Sequence, residues 1–153
     1  MSNQCEIVEK SDQPTLTLRT RTSIDKLPEF LGKAYGMVGQ YMGENQVEHM
    51  GAPFAAFYNL DMQDLDVEAG FPVAKALPGK GEIINAIIPA GKQATLTFVG
   101  PYDQMEPAYE ALNVFIKENG YQATGVCYEY YLNDPTVDPP VEPITQIVFP
   151  LKP

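Results

Sequence analysis

The chain has 153 residues, of which 44% are hydrophobic and 20% charged; this suits one globular domain with a real core and excludes a disordered or low-complexity chain. Lys and Arg number 10 against 20 Asp and Glu, a formal charge of −10, which argues against direct binding to nucleic acid or an anionic membrane, since both need a basic face. A neutral or cationic small molecule suits this balance better.

No apolar run approaches the ~18 residues of a membrane span. The N-terminal stretch has no basic segment followed by an apolar one, so no secretory signal is expected. A single histidine, His49, excludes zinc sites built on several histidines. Cys5 and Cys127 form no CxxC pair, and free thiols in the cytoplasm are the simplest reading.

Up to about Thr15 the chain is polar and carries little pattern. Thr15 to Thr22 then alternates, with Leu16 and Leu18 on one face and Arg19 and Arg21 on the other, which predicts a half-buried strand. Ser23 or Asp25 can cap a helix, Pro28 suits its first turn, and Leu27, Leu31, Ala34, Val38 and Tyr41 recur at helical spacing to about Glu44. Short strands are predicted at 53–58 and 66–76, followed by a turn at 78–81. Two more, 82–88 and 93–99, are expected to form a hairpin through Pro89-Ala-Gly-Lys92. A second helix runs from about Asp103 to Asn119, with Met105, Tyr109, Leu112 and Ile116 on one face. A strand follows at 126–132, then a stiff proline-rich loop at 134–143. The closing strand, 144–151, is expected at a sheet edge because of Pro150.

Sliding the chain by 74 positions exposes an internal repeat. Tyr35 falls on Tyr109, Val38 on Leu112, Glu44-Asn45 on Glu118-Asn119, Gly51 on Gly125, and the strand at 53–58 on 127–132. With four more residues inserted, Phe71-Pro-Val73 matches Phe149-Pro-Leu151. Repeats of about 16–75 and 92–151 predict two βαββ units related by a pseudo-two-fold axis, with a groove on that axis. The glycine stripe Gly32, Gly36, Gly39 and Gly43 falls on the polar positions Glu106, Glu110, Asn113 and Lys117, so it should face away from the sheet.

Asp66-Val-Glu-Ala-Gly-Phe-Pro-Val73, Ile88-Pro-Ala-Gly-Lys92, Val99-Gly-Pro-Tyr-Asp103 and above all Tyr128-Glu-Tyr-Tyr-Leu-Asn-Asp-Pro135 resemble the GyrI-like family. These are effector-binding domains of bacterial AraC-type and MerR-type regulators that also occur free-standing. The resemblance runs from Leu16 to Pro150. It implies an α+β fold of duplicated βαββ units, with a curved antiparallel sheet, two long helices, and a cleft for lipophilic or cationic compounds. A cleft glutamate is the family's hallmark, and Glu129 stands in its place. No cofactor is implied.

Glu129 lies mid-strand, where a carboxylate is unusual unless wet or paired. Alternation groups it with Cys127 and Tyr131. Its repeat partner is Ala55, so one repeat offers a carboxylate where the other offers space. A carboxylate among rings attracts a cation by charge and through ring faces. The bland alternative is a surface glutamate on an edge strand paired with a lysine. Phe57 and Tyr131 are the first candidates to line the site, followed by Phe71 beside Gly70 and by Tyr102 at the start of the second helix. Tyr35 and Tyr109 are assigned mainly to the core. The acidic run Asp61, Asp64, Asp66 and Glu68 fails the calcium-loop order and reads as a solvated loop, and no metal site is expected.

Three functions stay open. The first is capture of lipophilic or cationic small molecules, with Glu129 as counter-charge. The second is hydrolysis of strained electrophilic rings, with Glu129 and Tyr131 as the catalytic pair. The third is a contact with DNA gyrase through an acidic surface, and a homodimer is compatible with any of them.

Overall fold

The computed structural model describes residues 4–48, 50–134, 136–137 and 140–153; His49 and Pro135, singled out above, lie outside the described residues. In chain order the elements are β1 (Cys5–Lys10), β2 (Gln13–Thr22), α1 (Leu27–Glu44), β3 (Phe54–Phe57), β4 (Leu65–Pro72), β5 (Ile84–Ile88), β6 (Gly91–Val99), α2 (Glu106–Glu118), β7 (Cys127–Tyr131) and β8 (Ile144–Pro150). The class is α+β with antiparallel pairing throughout. The chain divides into two compact units, one made of residues 11–90 and the other of the N-terminal strand with 91–153.

In the unit of residues 11–90 the strand order is β3-β4-β2-β5. Directly opposed residues share a face, so Leu16, Leu18, Ala55, Phe57, Val67, Ala69 and Phe71 lie on one side. That side meets α1, where Tyr35 packs edge-on against Phe71 at 5.6 Å. The helix buries Leu27, Ala34, Val38 and Met42. Its glycines face outward as expected: a Cβ at Gly32, Gly36, Gly39 or Gly43 would meet no atom within 4 Å. Gly70 is the opposite case, since a Cβ there would lie 1.9 Å from the Leu16 carbonyl oxygen, and β4 can approach β2 only because that atom is missing. The predicted helix cap is not formed: Ser23 opens a single 3-10 turn, Ile24–Lys26, without a side-chain hydrogen bond.

In the other unit the order is β1-β6-β8-β7. Ala94, Leu96, Phe98, Ile147, Phe149 and Leu151 from the sheet pack with Met105, Ala108, Leu112 and Ile116 around α2 in one buried cluster.

Three expectations are corrected. The polar N-terminal stretch forms β1, paired with β6 from Cys5↔Leu96 to Lys10↔Gly91; two of its side chains, Cys5 and Ile7, pack on the core while its charges stay outside. β5 and β6 form no hairpin, because β5 pairs with β2 whereas β6 pairs with β1 and β8. β8 is not an edge strand but lies between β6 and β7. Its Pro150 is tolerated because it is the last residue, where the missing N–H falls at the end of the ladder.

The 74-residue offset recurs in backbone detail. Val47 donates to the Met42 carbonyl and Tyr121 to Ile116, each at 3.0 Å. Asn45 and Asn119 bond back to Tyr41 and Phe115, each at 2.8 Å. The residues that reverse the chain, Gln46 and Gly120, both have positive φ, 55° and 77°. Beyond the four-residue insertion, Ala74 donates to Glu48 and Lys152 to Gln122.

Candidate functional site

Within β7, Cys127, Glu129 and Tyr131 point to the side that meets α2, since Glu129 is opposite Ile147 and Tyr131 opposite Thr145, both fully buried. A carboxylate is thus carried to the margin of an apolar core. Oε1 of Glu129 accepts the Tyr131 hydroxyl at 2.9 Å. Oε2 accepts the Tyr109 hydroxyl, reaching over from α2. The Cys127 thiol donates to the Tyr109 oxygen at 3.3 Å. Tyr102, in the 3-10 turn that precedes α2, sets its ring edge-on to Tyr131 at 5.9 Å. It is 49% exposed, the most open member of the group.

Among the described residues the polar partners of Glu129 are these two phenols, and no Lys or Arg forms an ion pair with it. Burial raises its carboxyl above the usual value of 4.5, against the two phenol hydrogen bonds, which favour the charged form. Burial likewise pushes the Tyr109 hydroxyl and the Cys127 thiol well above their ordinary values, so both stay protonated donors. The Tyr102 hydroxyl is raised by burial first, then by the charges of Asp134 and Glu129. Thr145, across from Tyr131, has a buried Oγ1 with no hydrogen-bond partner among the described residues.

The structure therefore gathers Glu129, Tyr131 and Tyr102 in one unit and adds Tyr109, which sequence reasoning assigned mainly to the core. The available signal was the lone hydroxyl on the apolar stripe of α2: a phenol facing a sheet needs a partner. Phe57 and Phe71 belong to the other unit, where Phe57 lies opposite Val67 and Phe71 packs on Tyr35.

A second carboxylate escaped the sequence reading. Glu68, taken as part of a solvated acidic run, is 8% exposed. Thr17 donates to its Oε2 at 2.6 Å and Tyr58 to its Oε1. The neighbouring acids are ion-paired instead: Arg19 grips Asp66 through two bonds of 2.9 Å, and Arg21 grips Asp64. The Arg19 guanidinium also lies 3.9 Å above the Tyr58 ring.

A family model described as the GyrI-like small molecule binding domain matches residues 3–152. No curated protein matches the chain in sequence. Among solved structures, the EcmrR C-terminal domain is 24% identical with a TM-score of 0.82, covering 99% of each chain. EcmrR in complex with DNA has the same TM-score at 22% identity, and the match spans 57% of that longer chain. A Listeria innocua hydrolase encoded by lin2189 is 12% identical with a TM-score of 0.73, covering 98% of this chain and 92% of the other. SAV2435, solved bound to tetraphenylphosphonium, is 9% identical with a TM-score of 0.68, covering 97% and 94%. At these identities the likeness is one of fold. No described helix is long and apolar enough to cross a membrane.

Proposed function

Because the chain belongs to the GyrI-like small molecule binding domain family, we propose that it captures a lipophilic organic cation at Glu129. The observation that carries this reading is a partly buried carboxylate held by two phenols, with no Lys or Arg ion-paired to it among the described residues. An arriving cation supplies the missing counter-charge. The faces of Tyr131 and Tyr102 supply ring contacts that strengthen as water leaves. The tetraphenylphosphonium bound to SAV2435 supports the ligand class. The setting is the cytoplasm, where the two free cysteines stay reduced.

Titration calorimetry with tetraphenylphosphonium tests the reading. Glu129→Gln keeps the shape and removes the charge, and is expected to weaken binding by about 100-fold, roughly 3 kcal/mol. Neutral triphenylphosphine oxide should lose little. Equal affinity of the wild type and the Gln variant for the cation would overturn the proposal.

A second reading, hydrolysis of a strained electrophilic ring, has one observation behind it. Glu129, with its raised pKa and its Tyr109–Cys127 chain of donors, is suited to hold and deliver a proton. Turnover that Glu129→Gln abolishes while binding persists would favour it.

A further inference from the structure

The sheet of the 11–90 unit has an unfinished edge. The carbonyl of Pro14 accepts the N–H of Val73, just beyond β4, at 3.0 Å, so the backbone polar groups of Pro14 face β4. By alternation, those of Gln13, Thr15, Thr17, Arg19 and Arg21 face the other way. β5 meets this side from Gln13↔Ile88 to Thr17↔Ile84 and stops there. Before Ile84 the chain turns away through a tight reversal in which Lys80 and Ile83 exchange both backbone hydrogen bonds at 3.0 Å. Arg19 and Arg21 therefore present N–H and C=O groups to an edge with no strand beside it among the described residues.

A cavity of about 230 Å³ lies along this edge, lined by Leu18, Arg19, Thr20, Phe30, Lys33 and Glu82. Across it, Lys33 and Glu82 form an ion pair at 3.3 Å, with both side chains more than half exposed. Such a pair is weak and easily exchanged. Arg19 has its guanidinium committed to Asp66, so Lys33 is the side-chain cation available to a ligand. The cavity is smaller than the ~300 Å³ at which pockets for drug-sized ligands begin.

We propose that this edge binds the carboxyl-terminal end of an extended peptide. A strand laid beside Leu18–Thr22 in line with β5 runs antiparallel to β2, as β5 does. Its carboxyl end then abuts the start of β5, because Ile84 already occupies the next place on β2. An internal peptide segment has no room to continue, whereas a chain end fits. The backbone of Arg19 and Arg21 pairs with that of the peptide, the terminal carboxylate takes Lys33 from Glu82, and the last side chain lies against Leu18 and Phe30. This is strand addition with carboxylate capture. It uses none of the groups around Glu129.

The test is an amide chemical-shift titration of the labelled protein with N-acetyl-Val-Thr-Leu as the free acid and as the C-terminal amide. The acid should shift the Arg19 and Arg21 amides and saturate, and the amide should bind at least about tenfold more weakly. Lys33→Gln should reduce binding of the acid by a similar factor, while Glu82→Gln, which removes the competing carboxylate, should tighten it about threefold or more. Both substitutions are on the surface, and unchanged thermal melts confirm the fold. No shift at Arg19 and Arg21 up to roughly 5 mM peptide, equal binding of acid and amide, or weaker binding to Glu82→Gln would each overturn the proposal.

Discussion

Tyr131 and Glu129 stand two residues apart on the same face of β7 and meet through an O–H···O bond of 2.9 Å. The carboxylate is thus oriented by its own strand, while Tyr109 fixes its second oxygen from the helix. Strand and helix must both be in place for the pair of bonds to form, so the group reports on the packing of α2 as much as on any ligand.

The raised pKa of Glu129 makes a signed prediction about stability. The folded protein holds this proton more tightly than the unfolded chain does, so stability falls as pH rises from the ordinary 4.5 through the raised value and stays lower above it. Glu129→Gln removes that cost. The variant should be more stable than the wild type at pH 7 and melt at a higher temperature. The gap should close below pH 4.5. Thermal melts across pH 4 to 8 check it, and a gap that widens on acidification would contradict the assignment.

Tyr131→Phe keeps the ring and removes a bond that favours the charged carboxylate. Glu129 should then titrate at still higher pH. Affinity for tetraphenylphosphonium should fall about threefold to tenfold at pH 7. The acid limb of the binding profile should move upward in pH relative to the wild type. Calorimetry at several pH values separates this from simple loss of packing, which would lower affinity equally at all of them.

For Glu68 the prediction concerns the fold. Its two oxygens take the hydroxyls of Thr17 and Tyr58 in a buried setting. Thr17→Val should cost about 1–2 kcal/mol, because one oxygen of a buried carboxylate loses its donor. Glu68→Ala takes the acceptor from the Thr17 hydroxyl, breaks the bond to Tyr58 and opens a void, and about 3 kcal/mol is expected. Urea unfolding measures both. A cost under about 0.5 kcal/mol for each would match an ordinary surface site instead.

The two chain reversals after the helices give a paired test. Gln46 holds a left-handed backbone at φ 55° that Gly120 adopts freely at φ 77°. Gln46→Gly should stabilise the protein by about 1 kcal/mol and Gly120→Ala should destabilise it by about the same amount. Chemical denaturation of the two variants should show opposite signs.

Much of the architecture was legible because it rests on local periodicity. The faces of β2, the stripes of both helices and the outward glycines all follow from spacing of 2 or 3.6. The pairing of β5 and β6 was not, because a short loop between two strands looks like a hairpin whether or not they pair. β1 was missed because its charges hide two inward side chains, Cys5 and Ile7. Glu129 and Tyr131 were legible through alternation on one strand. Tyr109 was not, since the apolar stripe of α2 shows that its hydroxyl needs a partner but not that the partner is Glu129 on β7. Glu68 was read as solvated for the same reason: its partners, Thr17 and Tyr58, lie on other segments.

The pairing of β1 with β6 has a consequence for the order of folding. Residues 11–90 form a continuous unit interposed between the two strands that the other unit must bring together. As the chain leaves the ribosome, the contiguous unit has all its strands before β6 exists, whereas β1 waits for a partner on the far side of it. Closing so long a loop slows assembly. The 11–90 unit is therefore expected to gain protection first in pulsed hydrogen exchange during refolding, with the amides of β1 among the last.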